Sequence, residues 1–175
     1  MLKKLLIPDY MFRCYSDVTP EFLASIGVRA LLIDIDNTLA PYEQPEPDEH
    51  HRAWFASLAA AGIRCALVSN NGKERVERFN ATLGLDAQWK SGKPFGRVIK
   101  RYLGEWGIDR SAAAVLGDQV LTDALAAHGL GLRAIVVPPI RDKKTAFVRF
   151  KRCLERPYIR AYRAKHPDRK ENETK

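Results

Sequence analysis

The sequence predicts an α/β protein in which a parallel sheet is packed between two layers of helices. Short, continuous apolar runs such as Ala30-Leu31-Leu32-Ile33 recur along the chain, and stretches of helical periodicity separate them. The apolar runs at 30–33, 63–68 and 113–116 are each followed by polar residues, as strands buried on both faces and ending at a solvent edge should be.

The elements follow in order. Ala30–Ile33 is the first strand. From about Asp48 to Ala61, Trp54, Phe55, Leu58 and Ala61 share one helical face, and Gly62 supplies the stop. Ile63–Val68 is the next strand. Gly72–Leu83 reads as a helix with Val76, Phe79 and Leu83 inward, and Ala87–Trp89 as a short strand. Pro94 suits the first turn of a helix running to about Trp106. Ala113–Leu116 is a strand, Leu121–His128 a helix and Leu132–Val137 the last strand. Helix-length crossovers between strands impose parallel pairing, giving a Rossmann-like three-layer sheet with its ligand site at the carboxyl ends of the strands.

A chain of 175 residues buries a real core as one unit. With 46% hydrophobic and 29% charged residues, it is neither fibrous, largely disordered nor membrane-spanning in composition. No stretch approaches the ~20 apolar residues of a membrane span. Pro8 and Asp9 cut the apolar start Leu5-Leu6-Ile7 short of an export signal, so a cytoplasmic protein, soluble or peripheral at the inner face of the membrane, is expected. Cys14, Cys65 and Cys153 have neither disulfide nor zinc spacing, and Cys65 lies within an apolar strand.

The net charge of +8 is local. Residues 1–140 hold 16 Lys+Arg against 16 Asp+Glu, whereas residues 141–170 hold 12 against 3. The expected organisation is therefore a sheet domain over 1–140 with an N-terminal extension, followed by a basic C-terminal helix and tail over 141–175. A partner bearing phosphates is one use for such a segment.

Chemistry-bearing residues gather at the strand ends. Asp34 and Asp36 follow the first strand, Ser69 and Asn70 the second; Lys93 precedes a helix, and Gly117-Asp118-Gln119 follows a further strand with Asp123 just beyond. Singly, each has a bland explanation as a cap, a turn or a solvated charge. Together they supply a nucleophile, a proton donor, metal-binding oxygens and a cation, which is what phosphoryl transfer requires.

Asp34-Ile35-Asp36-Asn37-Thr38, Ser69, Lys93 and Gly117-Asp118-x-x-x-x-Asp123 resemble, in order, the four motifs of the haloacid dehalogenase (HAD) superfamily, over residues ~28–140. The resemblance implies that Asp34 is the nucleophile forming a phospho-aspartate and that Asp36 is the acid and base. Lys93 then offsets charge, Ser69 and Asn70 bind the phosphoryl group, and Thr38 steadies the loop. Mg²⁺ is implied on the Asp34 carboxylate, the Asp36 carbonyl and the Asp118 carboxylate, with Asp123 outside its ligands. An acid at Asp36 fits the phosphatases and phosphomutases rather than the dehalogenases or ion pumps of the superfamily.

The intervals Thr38–Ser69 and Ser69–Lys93 leave no room for an inserted cap domain. Leu6-Ile7-Pro8-Asp9, Glu46-Pro47, Val68-Ser69-Asn70-Asn71, Gly92-Lys93-Pro94 and Gly117-Asp118-Gln119-x-x-Thr122-Asp123 are similar to the YqeG-type subclass IIIA phosphatases, from which His128-Gly129 departs where Gly-Asn is the pattern. Those are similar in turn to mitochondrial phosphatidylglycerophosphate phosphatases, which implies a lipid phosphate as substrate and a place in phospholipid metabolism.

In the basic segment, Phe147, Phe150, Leu154, Tyr158 and Ala161 recur at helical spacing from Lys143 to Tyr162, with Pro157 expected to break or kink the helix. Such a stripe either packs on the core or lies on anionic lipid. Residues 167–175 read as disordered. Three functions follow: a phosphatase on a lipid phosphate; the same site acting on protein or nucleic-acid phosphates, with RNA held by the tail; or a non-catalytic interaction module. Oligomeric state is open.

Overall fold

The computed structural model describes residues 5–141 and 145–167. The sheet at its centre is built from β1 (Tyr10–Met11), β2 (Ala30–Ile33), β3 (Arg64–Val68), β4 (Asp86–Gln88), β5 (Ala113–Gly117) and β6 (Arg133–Val136). Their order is β1-β6-β5-β2-β3-β4, and every pairing is parallel. From β2 the chain winds outward through β3 and β4, then crosses to the other side through β5 and β6. The carboxyl end of β2 is therefore the topological switch point, where a crevice opens.

Alternation along β2 builds the two outer layers. Leu31 and Ile33 face a cluster with Trp54, Phe55 and Leu58 of α2 (Glu49–Ala60) and Val76 and Phe79 of α3 (Lys73–Asn80). The same cluster includes Leu23 of α1 (Pro20–Ser25). Ala30 and Leu32 face the other cluster, with Ile99, Tyr102 and Leu103 of α4 (Arg97–Trp106) and Ala126 and Ala127 of α5 (Leu125–Gly129). Both faces are sealed, which explains strands without polar alternation.

Local signals account for the helix ends. Asp48 caps α2 by accepting the His51 N–H at 3.0 Å, while His51 Nδ1 accepts the Asp48 N–H at 3.2 Å, a reciprocal capping box. Gly62, at φ +73°, ends that helix as anticipated.

Several expectations need correcting. Pro94 does not sit in a first helical turn: the loop Ser91–Gly96 keeps it outside, and α4 begins at Arg97. The helix expected over 121–128 is instead a π-helical turn, Val120–Ala124, running into α5. That turn carries Asp123, buried at 1% exposure, back against β5. The short strand lies one residue earlier than expected, at Asp86–Gln88.

β1 was not anticipated from the sequence, because two residues carry no period. It pairs with β6, and the Met11 N–H on its other side donates to the Tyr162 hydroxyl at 3.1 Å. Tyr162 belongs to α6 (Ala146–Lys165), which passes through Pro157 without the expected break. Toward its C-terminal end this helix packs on the core: Tyr162 is 1% exposed, and Tyr158 and Ile159 are partly buried against the second cluster. Earlier in the same helix Phe150 and Leu154 stay exposed. Lys143, where the sequence begins this helix, and residues 168–175 of the stretch 167–175 read as disordered, lie outside the described residues.

Candidate active site

The loop after β2 is wound tightly enough to aim two carboxylates into the crevice. The Ile35 carbonyl accepts the N–H groups of Thr38, Leu39 and Ala40 at 3.3, 3.0 and 3.1 Å, and the turn is closed by Asn37 at φ +63°. Asparagine tolerates this left-handed conformation better than most side chains. His51 Nε2–H donates to the Leu39 carbonyl at 2.8 Å and ties the loop to the start of α2.

Asp34 lies at the bottom of the site, 6% exposed. Lys93 Nζ donates to its Oδ1 at 2.7 Å and lies 2.7 Å from Asp123 Oδ1, an ion pair outside hydrogen-bond alignment. Thr38 Oγ1 is 3.4 Å from both Asp34 Oδ2 and Asp118 Oδ1. Burial pushes the Asp34 carboxyl up to about 6 against the opposing pull of Lys93. Burial likewise pushes Asp118 to about 8, although Arg152 draws it down. Burial disfavours the charge on Lys93, but Asp123 and Asp34 outweigh it and raise its pKa.

Oxygens of Asp34, Asp118 and Asp123 all lie within 4.8 Å of one another. Three buried carboxylates offering hard oxygens suit a small divalent cation such as Mg²⁺. Asp123, which the resemblance implies lies outside the metal ligands, offers an oxygen to the same cluster. The Asp123 carboxylate also accepts the Gln119 N–H at 3.1 Å, and a Cβ on Gly117 would stand 2.2 Å from its Cγ. Only glycine lets the π-turn fold this close to β5.

Asp36 faces the cleft from a different arrangement. Its Oδ1 accepts Arg75 Nε–H at 2.9 Å and its Oδ2 accepts Asn71 Nδ2–H at 2.9 Å, so both oxygens are engaged outside the three-carboxylate cluster. Arg75 also donates to the carbonyls of Pro45 and Pro41, at 3.1 and 3.4 Å, joining the Pro-rich loop to the site.

Ser69, 1% exposed, accepts the Asn71 N–H on its Oγ at 3.1 Å, which leaves its own proton for a ligand oxygen. Asn70 lines the cleft, yet its side chain is committed to the Lys93 loop. It donates to the Lys93 carbonyl and accepts from Lys93 N–H and Ser91 Oγ, each at 2.9 Å. The cleft encloses about 340 Å³ and brings together Asp34, Asp36, Ser69, Asn70 and Lys93 with Tyr42, Asn71, Gln119, Thr122 and Lys151.

Asn71, Gln119 and Thr122 stand in the motifs of the sequence without an assigned role, whereas Tyr42, Lys151, Arg75 and Arg152 carry no motif that marks them. Arg152 of α6 donates to the Asp118 carbonyl at 2.8 Å, pairs with the Asp118 carboxylate, and bonds Glu155 at 2.9 Å. Glu155 is buried and accepts the Leu121 N–H at 3.1 Å. The available signal was Glu155 itself, an acid spaced three residues from an arginine within an almost wholly basic run.

A family model described as HAD-hydrolase-like matches residues 90–139. The "Probable phosphatase YqeG" of Bacillus subtilis (strain 168) is 33% identical over 165 residues, 94% of this chain and 96% of that protein. An uncharacterized protein from Listeria monocytogenes serotype 4b has a solved structure that superposes with TM-score 0.53 at 15% identity, covering 67% of this chain and 85% of that one. A hypothetical protein from Xanthomonas campestris superposes with TM-score 0.50 at 22% identity, covering 69% and 71%. These two structures share the fold.

Proposed function

The chain belongs to the HAD superfamily, among its YqeG-type phosphatases, and we propose that it is a Mg²⁺-dependent phosphomonoester hydrolase acting on a lipid phosphate such as phosphatidylglycerophosphate through a phospho-aspartate on Asp34. The observation that carries this reading is the convergence on one cleft of the Asp34 carboxylate, the Lys93 ammonium 2.7 Å from it, and the Ser69 hydroxyl.

Asp34 attacks phosphorus while the bond to the leaving oxygen breaks. Asp36 gives that oxygen a proton, then takes one from the water that attacks the aspartyl phosphate and releases Asp34. Ser69 donates to an equatorial oxygen and Lys93 offsets its charge. Asp34, Asp118 and the Asp36 carbonyl would hold Mg²⁺, which would supply charge neutralisation at the phosphoryl oxygens. The raised Asp34 and Asp118 carboxyls fit this role, since a cation there favours the ionised forms that burial disfavours.

A lipid substrate is supported by the lack of an inserted cap over the site among the described residues and by the basic segment 141–170, which suits an anionic membrane surface at the cytoplasmic face. The test is phosphate release from vesicles bearing phosphatidylglycerophosphate, with Mg²⁺ or with chelator. Release should require Mg²⁺ and disappear in Asp34→Asn; activity indifferent to that substitution would sink the mechanism. The basic segment also admits protein or nucleic-acid phosphates as substrate. RNA binding with steep salt dependence and no hydrolysis of lipid phosphate would favour that reading.

A further inference from the structure

Among the described residues, four large apolar side chains are exposed: Phe95 at 79%, Phe150 at 61%, Ile140 at 50% and Leu154 at 45%. Each lies on a loop or helix that carries a residue of the site or is bonded to a loop that does. Phe95 follows Lys93 by two residues in the loop beyond β4, its N–H bonded to the Gly92 carbonyl at 2.8 Å. Ile140 lies beyond the end of β6, and its N–H donates to the Asn37 carbonyl at 3.1 Å. Phe150 precedes Lys151, which lines the cleft, and Leu154 lies four residues on, on the same side of α6. Because all six strands run parallel, the loops after β2, β4, β5 and β6 emerge at one edge of the sheet, and α6 leans on that edge through Arg152 and Asp118.

Exposed basic residues neighbour these apolar ones along the chain. Arg141, Arg149, Arg156 and Arg160 are all exposed, whereas Glu155, the one acid of α6, is buried against Arg152 and Leu121. The solvent side of this helix thus carries charge of a single sign. Nucleic acid would use the cations and stack on aromatic rings, but it has no use for exposed Ile140 and Leu154. An anionic bilayer uses both features, inserting apolar side chains below its headgroups and attracting the cations to its surface.

We infer that the rim of the cleft formed by Phe95, Ile140, Phe150 and Leu154 is a docking surface for an anionic lipid bilayer, which turns the mouth of the site toward the headgroups. The inference deepens the lipid-phosphate reading and rests on it, since a site facing the bilayer meets phosphates carried there. Apolar insertion sets the depth, and the arginines supply the preference for anionic lipid.

The experiment is co-sedimentation of the full chain with vesicles of three parts phosphatidylcholine to one part phosphatidylglycerol, containing no phosphomonoester, beside pure phosphatidylcholine. Binding should be confined to the anionic vesicles. Phe150→Ser/Leu154→Ser and Phe95→Ser/Ile140→Ser should each weaken it roughly tenfold or more, while hydrolysis of a soluble aryl phosphate stays unchanged. Unchanged vesicle binding by both variants would overturn the inference. So would wild-type binding to RNA alone, or a dimer dissolved by these substitutions without vesicle binding. Vesicle binding with no hydrolysis of any lipid phosphate would leave the surface standing and remove the substrate reading. Hydrolysis of lipid phosphate in detergent micelles without vesicle binding would do the reverse.

Discussion

Arg152 holds Asp118 at two points, its carbonyl oxygen at 2.8 Å and its carboxylate, and so occupies Oδ2 while Oδ1 turns toward Thr38 and Asp34. A residue of the last helix therefore orients a carboxylate at the end of β5. Partners that orient metal ligands typically account for about 10–100-fold in metal affinity or activity. Arg152→Met should raise the Mg²⁺ concentration for half-maximal turnover by about that factor, read from Mg²⁺ titrations of activity. Saturation at lower Mg²⁺ than wild type would mean that the guanidinium merely repels the cation.

Arg75 and Asn71 hold Asp36 from outside the three-carboxylate cluster. If Asp36 protonates the leaving oxygen, its placement matters most where that oxygen is a poor leaving group. Arg75→Ala should slow hydrolysis of an alkyl phosphate by roughly 10²-fold and of p-nitrophenyl phosphate far less. Equal losses on both substrates would assign Arg75 to the fold of the Pro41–Pro47 loop alone.

Burial raises Asp34 to about 6 and Asp118 to about 8, both above the usual carboxylate value of 3.8. Without metal, the folded chain keeps protons that the unfolded chain releases. These two groups therefore favour folding most at low pH, and that contribution is lost as pH rises through the two folded values. In the presence of chelator, the urea midpoint should be higher near pH 5 than near pH 8, and Asp118→Asn should flatten the difference. His128 contributes with the same sign, so the change between wild type and Asp118→Asn is the quantity to read. An identical pH slope in the two would refute the assignment.

Both ring nitrogens of His128 face acceptors, Nδ1 the Leu5 carbonyl at 2.8 Å and Nε2 the Asp9 carboxylate at 2.9 Å. Only the imidazolium donates to both. Burial opposes that charge, but Asp9 and the Leu5 carbonyl outweigh it and raise the His128 pKa. Burial likewise opposes the Asp9 charge, and His128 with the Ala134 N–H overcomes it to lower the Asp9 pKa. The clamp is complete below the ordinary histidine value and is lost as pH rises through the raised one. At the acid end it is lost as pH falls through the lowered Asp9 value. Hydrogen-exchange protection of the Phe12 amide, bonded to the Val136 carbonyl at 3.1 Å, should fall several-fold above neutrality in wild type but show no such step in His128→Gln.

The strands 30–33, 63–68 and 113–116 were legible because burial on both faces leaves an unbroken apolar run, and α2 because Asp48 and Gly62 mark its ends. β1 was illegible: its two residues join the sheet only because Tyr162 and His128, 151 and 119 residues distant from their partners, hold the N-terminal segment in place. Pro157 misled because a proline's cost to a helix is local, whereas this helix is held by Tyr162, Glu155 and Arg152 on either side of it.

By itself the sequence determined that Asp34, Asp36, Ser69, Lys93, Asp118 and Asp123 gather at one edge of a parallel sheet, because each follows, or leads on from, a strand whose direction the crossovers fix. Tertiary structure alone decided that Asp36 is bound by Arg75, that Asp123 stands against Gly117 with an oxygen within 4.8 Å of those of Asp34 and Asp118, and that Lys151 and Arg152 complete the site from the far end of the chain. The physical reason is that hydrogen bonds and ion pairs act over a few ångströms of space. Periodicity reports which face of an element is buried, but not which distant side chain comes to lie against it.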